Sequence, residues 1–311
     1  MADAQSPLYI RPDLSAIAIK YRQNNFIADE VMPRTLVEKQ EFVHLADRIA
    51  EWITPPDTTV GRTSTPNALS NSSQDPTTYA TVNQGLDEPV PNQDQQNGPS
   101  ESALQRATQR VMSFVELRRE IRVAGIVSTS GNYANSATLS GTSQWSDFTN
   151  SDPIQALLGY LDTPFMRPNT MVIGQDVWTK IRQHPKVISA VNYYGGGSGQ
   201  GVASKEQIAA AMGIDQIIVG QGWYNTANKG QATTKARVWG KFCALLYLGQ
   251  NGGPDSGNTW GYTAQFGQRI AGVRADANIG LFGGQWVRAG ESVKEVVAAP
   301  EFGYLLSSVV G

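Results

Sequence analysis

One cysteine and two histidines are all that this 311-residue chain holds of the side chains that usually bind zinc or act as imidazole bases. A zinc site draws on several Cys or His ligands, so the supply is short. As the single cysteine, Cys243 cannot form an internal disulfide, and in the apolar run Lys241–Tyr247 it reads as a small buried core residue. His44 and His184 are far apart in sequence, and neither sits in a nucleophile motif. Charge is also scarce, at 17% of residues with a net value of −2. A sequence-specific nucleic-acid binder carries a basic surplus, so any meeting with DNA is expected to be that of a container. No apolar run approaches the roughly 18 residues that span a bilayer. Residues 1–8 have no charged stretch followed by an apolar one, so no secretion signal is read there. The expected setting is a reducing compartment without a membrane partner.

Lysine is absent between Lys39 and Lys180. Within that gap lies the most distinctive feature of the chain, a polar arm over residues 51–99. It holds seven prolines and six acidic residues against Arg62 alone, a local charge of −5. So little apolar surface cannot offset the entropy of ordering the chain. The arm reads as disordered or as a long β-hairpin that packs on something else, with Thr58–Val60 and Thr77–Val82 as its strands. Trp52 opens the arm without a core of its own and reads as an interface anchor.

On either side the pattern is helical. Leu14, Ile17, Ala18 and Tyr21 recur at helical spacing behind Pro12–Asp13, and Asn24–Asn25 is the expected stop. An extended stretch from Thr35 to Leu45 follows. From Ser100 to Thr129 proline disappears. Leu104, Ala107, Val111, Phe114, Leu117, Ile121 and Ala124 then predict one apolar stripe, with Pro99–Ser100 as the cap. A helix of about 28 residues would be roughly 42 Å long. Its polar face carries Arg106, Arg110, Arg118, Arg119 and Arg122 against three glutamates.

Beyond it an α/β body is expected. Strands are read at 138–145, 170–174, 216–220, 237–248, 260–266 and 285–297, the last with a turn at Ala289–Gly290. Helices are read at 153–161, 176–182 and 204–212, and an apolar tail at 304–310 is expected to tuck into a sheet. Gly195–Gly201 lacks the spacing and the Gly-Lys-Ser/Thr ending of a phosphate loop, and reads as a surface loop. The carboxylates form no evident catalytic pair, so neither an enzyme nor a cofactor is expected.

Several stretches, in order, resemble the major capsid proteins of tailed double-stranded DNA bacteriophages. Residues 13–34 (DLSAIAIKYRQNNFIADEVMPR) resemble the opening of the N-terminal arm, and 57–62 (DTTVGR) with 85–90 (GLDEPV) the extended loop. Residues 117–124 (LRREIRVA) resemble the spine helix, while 138–147, 168–174 and 236–241 resemble the peripheral and axial domains. The resemblance implies an α+β fold shared with encapsulins and the herpesvirus capsid floor. Its expected divisions are an N-terminal arm (1–45), an extended loop (46–98), a peripheral domain (99–152 and 265–311, with spine helix 100–128) and an axial domain (153–264). It further implies hexamers and pentamers closing into an icosahedral shell around double-stranded DNA, touched without sequence preference. A portal protein, a separate scaffolding protein and decoration proteins are the implied partners, the virion the implied location and the host cytoplasm the place of assembly. The loop lysine that some relatives crosslink is missing here. The expected contacts between subunits are Trp52, Asp57, Arg62, Asp87 and Glu88 on the loop and Arg106, Arg110, Arg118, Arg119 and Arg122 on the helix. An encapsulin-like compartment subunit and a minor or decorating virion protein are the alternatives.

Overall fold

The computed structural model describes residues 7–46, 54–68, 75–98, 100–191, 201–228, 230–249, 252–254 and 259–311. The polypeptide is organised by two five-stranded sheets and one helix that touches both.

The first sheet is built on a long ribbon. Strand β12 (Gly261–Asp276) pairs antiparallel with β13 (Gly284–Val297), and β13 pairs with β5 (Val82–Pro91). On its other edge β12 takes β1 (Tyr9–Ile10) antiparallel and β2 (Arg34–Val37) in parallel. One face of this sheet is covered by α1 (Pro12–Lys20) and α4 (Ser100–Ser128). Leu14, Ala18, Leu104, Ala107, Val111, Met112 and Val115 pack there on Val90, Ala271, Val287 and Ala289. Between α1 and β2 lies the single-turn helix α2 (Ala28–Val31). The short α3 (Asn92–Gln96) links β5 to the segment before α4.

The second sheet runs β6 (Asn135–Thr138), β14 (Gly303–Ser307), β11 (Cys243–Leu246), β7 (Thr170–Gly174), β8 (Gln216–Gly220). Both of its faces are buried. Met171, Ile173, Cys243, Leu245, Tyr304 and Leu306 face one core; the residues between them (Val172, Ala244, Leu246, Leu305) face the other. Two buried faces explain why these strands read as continuous apolar runs and not as alternation. Helices α5 (Pro153–Leu161), α6 (Gln175–Ile181), α7 (Pro185–Val191) and α8 (Lys205–Met212) border the first core. Ser204 and Gln207 close a capping box at the start of α8, and Gly213 ends it in the left-handed conformation.

Helix α4 has 29 residues, roughly 44 Å at the usual rise. Its last turns (Val123, Ala124, Val127) enter the second core. Its end is held by side chains: Thr129 Oγ1, Asn132 Nδ2 and Tyr133 Oη donate to the carbonyls of Gly125, Ile126 and Val127. A small hairpin, β9 (Trp223–Asn225) with β10 (Lys235–Arg237), stands beside the second sheet.

The structure corrects several expectations. The buried stripe of α4 includes the expected Leu104, Ala107, Val111 and Ala124, but between them it runs through Thr108, Met112, Val115, Glu116, Arg119, Glu120 and Val123 and on to Val127, whereas Phe114 is 50% exposed. Leu117 and Ile121 are half-buried. Thr58–Val60 forms no strand, and Thr77–Val82 is divided between β4 (Asp75–Ala80) and β5. The hairpin is instead β3 (Glu41–Ala46) with β4. Of the stretch 138–145 only Thr138 is strand, the end of β6, and Gly141–Ser143 form a 3₁₀ turn, while 237–248 is two strands broken at Val238–Phe242. Strand β13 runs straight through Ala289–Gly290. The sheets also cut across the expected divisions. Strand β5 lies within the expected loop yet belongs to the ribbon, and β14 lies within the expected peripheral stretch yet belongs to the second sheet. Trp52, the Pro99 cap and 195–200 of the glycine loop fall outside the described residues.

Candidate subunit interface

Two halves of the polar arm end in different places. Residues 82–91 become β5 and fold onto their own body. Asp87 accepts two bonds from Arg288 at 2.6 and 2.7 Å, and Glu88 lies 3.3 Å from Arg110 of the same chain's α4. Bonding to Arg288 holds the Asp87 carboxyl below its usual range. Asp87, Glu88 and Arg110 therefore have partners within the subunit, and the field of −5 expected along the arm is partly satisfied at home. Residues 54–68 are different: every one is exposed. They are carried on the β3–β4 stem and shaped by bonds of their own, Asn67 Nδ2 to Asp57 O, Thr59 N to Asp57 Oδ1 and Ser64 N to Gly61 O. Asp57 and Arg62 sit on this exposed segment.

The outward face of α4 is equally open. Phe114 is flanked one turn away on each side by the exposed Arg110 and Arg118, with Leu117 and Ile121 half-buried beside them. Val82 and Leu86 of β5 are 52% and 49% exposed. Arg106 is exposed on the same helix. Arg122, by contrast, is tied to Glu295 at 2.9 Å and to Gln84.

Arg119 is not a surface residue at all; its side chain is 3% exposed. It starts a chain of alternating charges: Arg119–Asp29 at 2.5 Å, Asp29–Arg34 at 2.8, Arg34–Glu291 at 2.8, Glu291–Arg269 at 2.9 and Arg269–Glu116 at 3.0. Two of the six come from the N-terminal segment, two from α4 and two from the ribbon. A register shift in β12 between Phe266 and Ile270, with Gly267 at φ +65°, accompanies the inward turn of Arg269. Arg269 also donates to the carbonyls of Ala18 and Tyr21, closing the end of α1. Burial pushes the Asp29 carboxyl up, but Arg119 and Arg34 outweigh it and hold that group at about 2. Burial likewise opposes ionisation of Glu291, and its two arginines again win. At Glu116 burial wins over Arg269, so its carboxyl is raised. Glu120 adds a second joint, accepting from the backbone N–H groups of Ile27 and Ala28 and from Trp239 Nε1. These charges went unseen in the sequence because the stripe was traced through apolar residues alone. The available signal was that 112, 115/116, 119/120, 123 and 127 keep helical spacing better than 114, 117 and 121.

One contact invites a catalytic reading. His184 Nε2 lies 3.0 Å from Ser151 Oγ. Both residues are buried, Lys186 N–H donates to His184 Nδ1, and Ser151 donates to the carbonyl of Asp147. The ring proton therefore belongs on Nε2, pointing at the serine. This arrangement pins the 147–151 turn to the α6–α7 corner and offers no base to the hydroxyl. Burial lowers the His184 pKa and disfavours the charged ring. Cys243 is fully buried and its thiol is pushed up by desolvation. Among the described residues no group of three His, Cys, Asp or Glu is placed to hold a metal ion, and no helix is long and apolar enough to cross a membrane.

No protein-family model matches the chain. It is 40% identical over 310 residues to a major capsid protein of Pseudomonas phage JBD67, covering 99% of each. Among solved structures it matches a phage-related protein of Bordetella bronchiseptica RB50 with a TM-score of 0.76 at 19% identity, covering 97% of this chain and 98% of that one. An encapsulin of Synechococcus elongatus PCC 7942 matches with a TM-score of 0.54 at 11% identity, covering 94% and 90%. The fold is the tailed-phage capsid fold, and the exposed segment 54–68 and the open helix face agree with the relationship in sequence: the chain belongs to the family of phage major capsid proteins, structural subunits of the capsid and not enzymes.

Proposed function

We propose that copies of this chain assemble as hexamers and pentamers into an icosahedral shell that encloses double-stranded DNA in the virion. A portal protein, a separate scaffolding protein and decoration proteins are the further partners, and assembly takes place in the host cytoplasm. With a net charge of −2, the shell contains DNA without reading its sequence.

The observation that carries this reading is the exposed segment 54–68, a run of chain with no core of its own in a family of capsid subunits. In the proposed shell it lies across the outward face of a neighbour's α4. Phe114 and the half-buried Leu117 and Ile121 supply apolar surface there, and Arg106, Arg110 and Arg118 face Asp57. Trp52 anchors the root of the loop. Apolar burial provides most of the affinity and charge sets the register. Exposed ion pairs add only about 0–1 kcal/mol each, so shell strength comes from the number of interfaces holding each subunit.

Negative-stain microscopy of the purified chain tests the reading. Closed particles of uniform size are expected. A chain that stays monomeric at high concentration with 54–68 packed on its own surface overturns it.

A further inference from the structure

Charge is unevenly shared along this chain. Residues 175–241 carry eight Lys and Arg against three Asp and Glu, a local charge of +5 in a chain whose total is −2. Part of that surplus gathers along one strip of surface around α6. Lys235 and Arg237 stand two residues apart in β10 and share one face of the hairpin, with Trp223 directly opposite Arg237. The Arg237 guanidinium stacks on the Trp223 ring at 3.8 Å and donates to the carbonyl of Gln221. Its Nε lies 3.8 Å from Asp176 in the first turn of α6. One turn further along that helix is Lys180, whose Nζ lies over the ring of Phe148 at 5.8 Å. Lys186, at the start of α7, donates to the carbonyl of Asn150, two residues from Phe148. Four cations are thus joined by contacts into one strip, with the Asp176 carboxylate between them. The acids beside the 148–150 turn are occupied by backbone: Asp147 accepts from the N–H groups of Thr149 and Asn150, and Asp152 from that of Gln155.

The chemistry of the strip says what it meets. Arg237, Lys180 and Lys186 are each held by a ring or a carbonyl, so little freedom is left to lose on contact. Uncharged hydrogen-bonding side chains, Asn225 opposite Lys235 and Thr179 beside Lys180, are exposed between the cations. Cations mixed with amide and hydroxyl groups on an open surface suit phosphate oxygens, which carry no sequence information. The exposed segment 54–68 of another copy does not match this surface, because Asp57 and Arg62 cancel there. We propose that Lys235, Arg237, Lys180 and Lys186 form the strip through which each subunit touches the phosphodiester backbone of enclosed double-stranded DNA. This rests on the reading that the chain builds a shell around DNA. Four neutralised phosphates make the affinity fall by roughly 150-fold between about 50 and 200 mM salt. One strip is therefore a weak and releasable contact, and its effect comes from repetition over the copies of a shell.

Fluorescence anisotropy of a short labelled DNA duplex, titrated with dilute unassembled subunit, tests the strip. Binding independent of sequence is expected, with a slope of log affinity on log salt of about −3.6. Lys180→Gln with Lys235→Gln removes two contacts and is expected to flatten that slope by about 1.8, with the melting temperature unchanged. Lys180→Arg with Lys235→Arg keeps the charge and should keep the slope. Arg106→Gln with Arg118→Gln takes equal charge from the exposed face of α4 and should leave the slope as it was. No duplex binding overturns the strip and leaves the shell standing wherever closed particles form. So does a slope that the Lys→Gln pair leaves alone, or that the α4 pair flattens as much. Tighter binding to polyglutamate than to the duplex overturns the strip in favour of an acidic protein surface. Duplex binding of the expected kind by a chain that forms no particles overturns the shell, and with it the assignment to enclosed DNA.

Discussion

Residues 54–68 and residues 82–91 are two pieces of one proline-containing polar arm, and their fates are opposite. The second piece pairs along its whole length with β13, from Val82 opposite Val293 to Pro91 opposite Gly284. The first is exposed throughout and shaped by bonds among its own residues. Composition does not separate them. What separates them is supply: the ribbon leaves an open edge along β13 for one strand, and β5 fills it. A segment for which the subunit offers no edge is free to pair elsewhere, and in the proposed shell that partner is another copy. The contrast also divides the charges. Those of 82–91 are satisfied at home, whereas Asp57 and Arg62 remain on the surface.

The hardest test of this contrast is to remove one piece and keep the other. Replacing 54–68 with a short Gly-Ser linker is expected to leave the melting temperature within about 2 °C, since solvated residues carry little stability, and to abolish closed particles in the microscope. Particles of normal stability would erase the distinction between the two pieces.

The home-bound half depends on a ribbon whose position is set by the six-charge chain. Glu291→Ala leaves Arg34 and Arg269 buried without their shared carboxylate. Urea unfolding is expected to show a loss of about 3–5 kcal/mol. A loss under 1 kcal/mol would mean that the charges are ornamental to the fold.

Acid sharpens the comparison next. Asp29 is held at about 2, down from an ordinary 3.8, so its contribution to stability is complete above 3.8 and is lost as pH falls toward 2. The shift corresponds to about 2 kcal/mol. Glu291, also lowered, acts in the same direction. Glu116 and Glu120 are raised, so protonating them as pH falls favours the folded state and offsets part of the loss. Net stability is expected to drop most steeply between pH 4 and 2, read by urea titrations at each pH. Protease cutting within 54–68 should change little over the upper part of that range, because that segment is already open. The smallest effect belongs to the surface pair: Arg288→Ala should cost under about 1 kcal/mol, and a larger value would show that Asp87 does more than decorate the edge of β5.

How much of this was legible beforehand follows from physics. The long helix, the two-faced strands at 170–174 and 216–220 and the apolar tail announced themselves because periodicity and runs of branched residues are local signals. The break at Val238–Phe242 was hidden because Trp239 is as apolar as its neighbours, so the run looks unbroken. The buried face of α4 was misjudged between Val111 and Ala124 because Glu116, Arg119 and Glu120 occupy core positions. Charges read as surface until a partner is known, and here the partners lie 90 to 153 residues away in sequence. The pairing of β5 with β13 was missed for a related reason: polar edge strands are recognised by what they pair with. Of the expected contact residues, Asp57, Arg62, Arg106, Arg110 and Arg118 are exposed, Arg119 is interior, and Asp87, Glu88, Arg110 and Arg122 have ion-pair partners within the chain.

Hydrogen exchange, compared between free subunit and closed particle, tests the central claim most directly. In the free subunit the amides of 82–91 should be protected and those of 54–68 should exchange at nearly the rate of an unfolded chain. In the particle 82–91 should change little, while 54–68 should slow by about 100-fold or more. Protection of 54–68 in the free subunit, or its continued rapid exchange inside closed particles, would contradict the account.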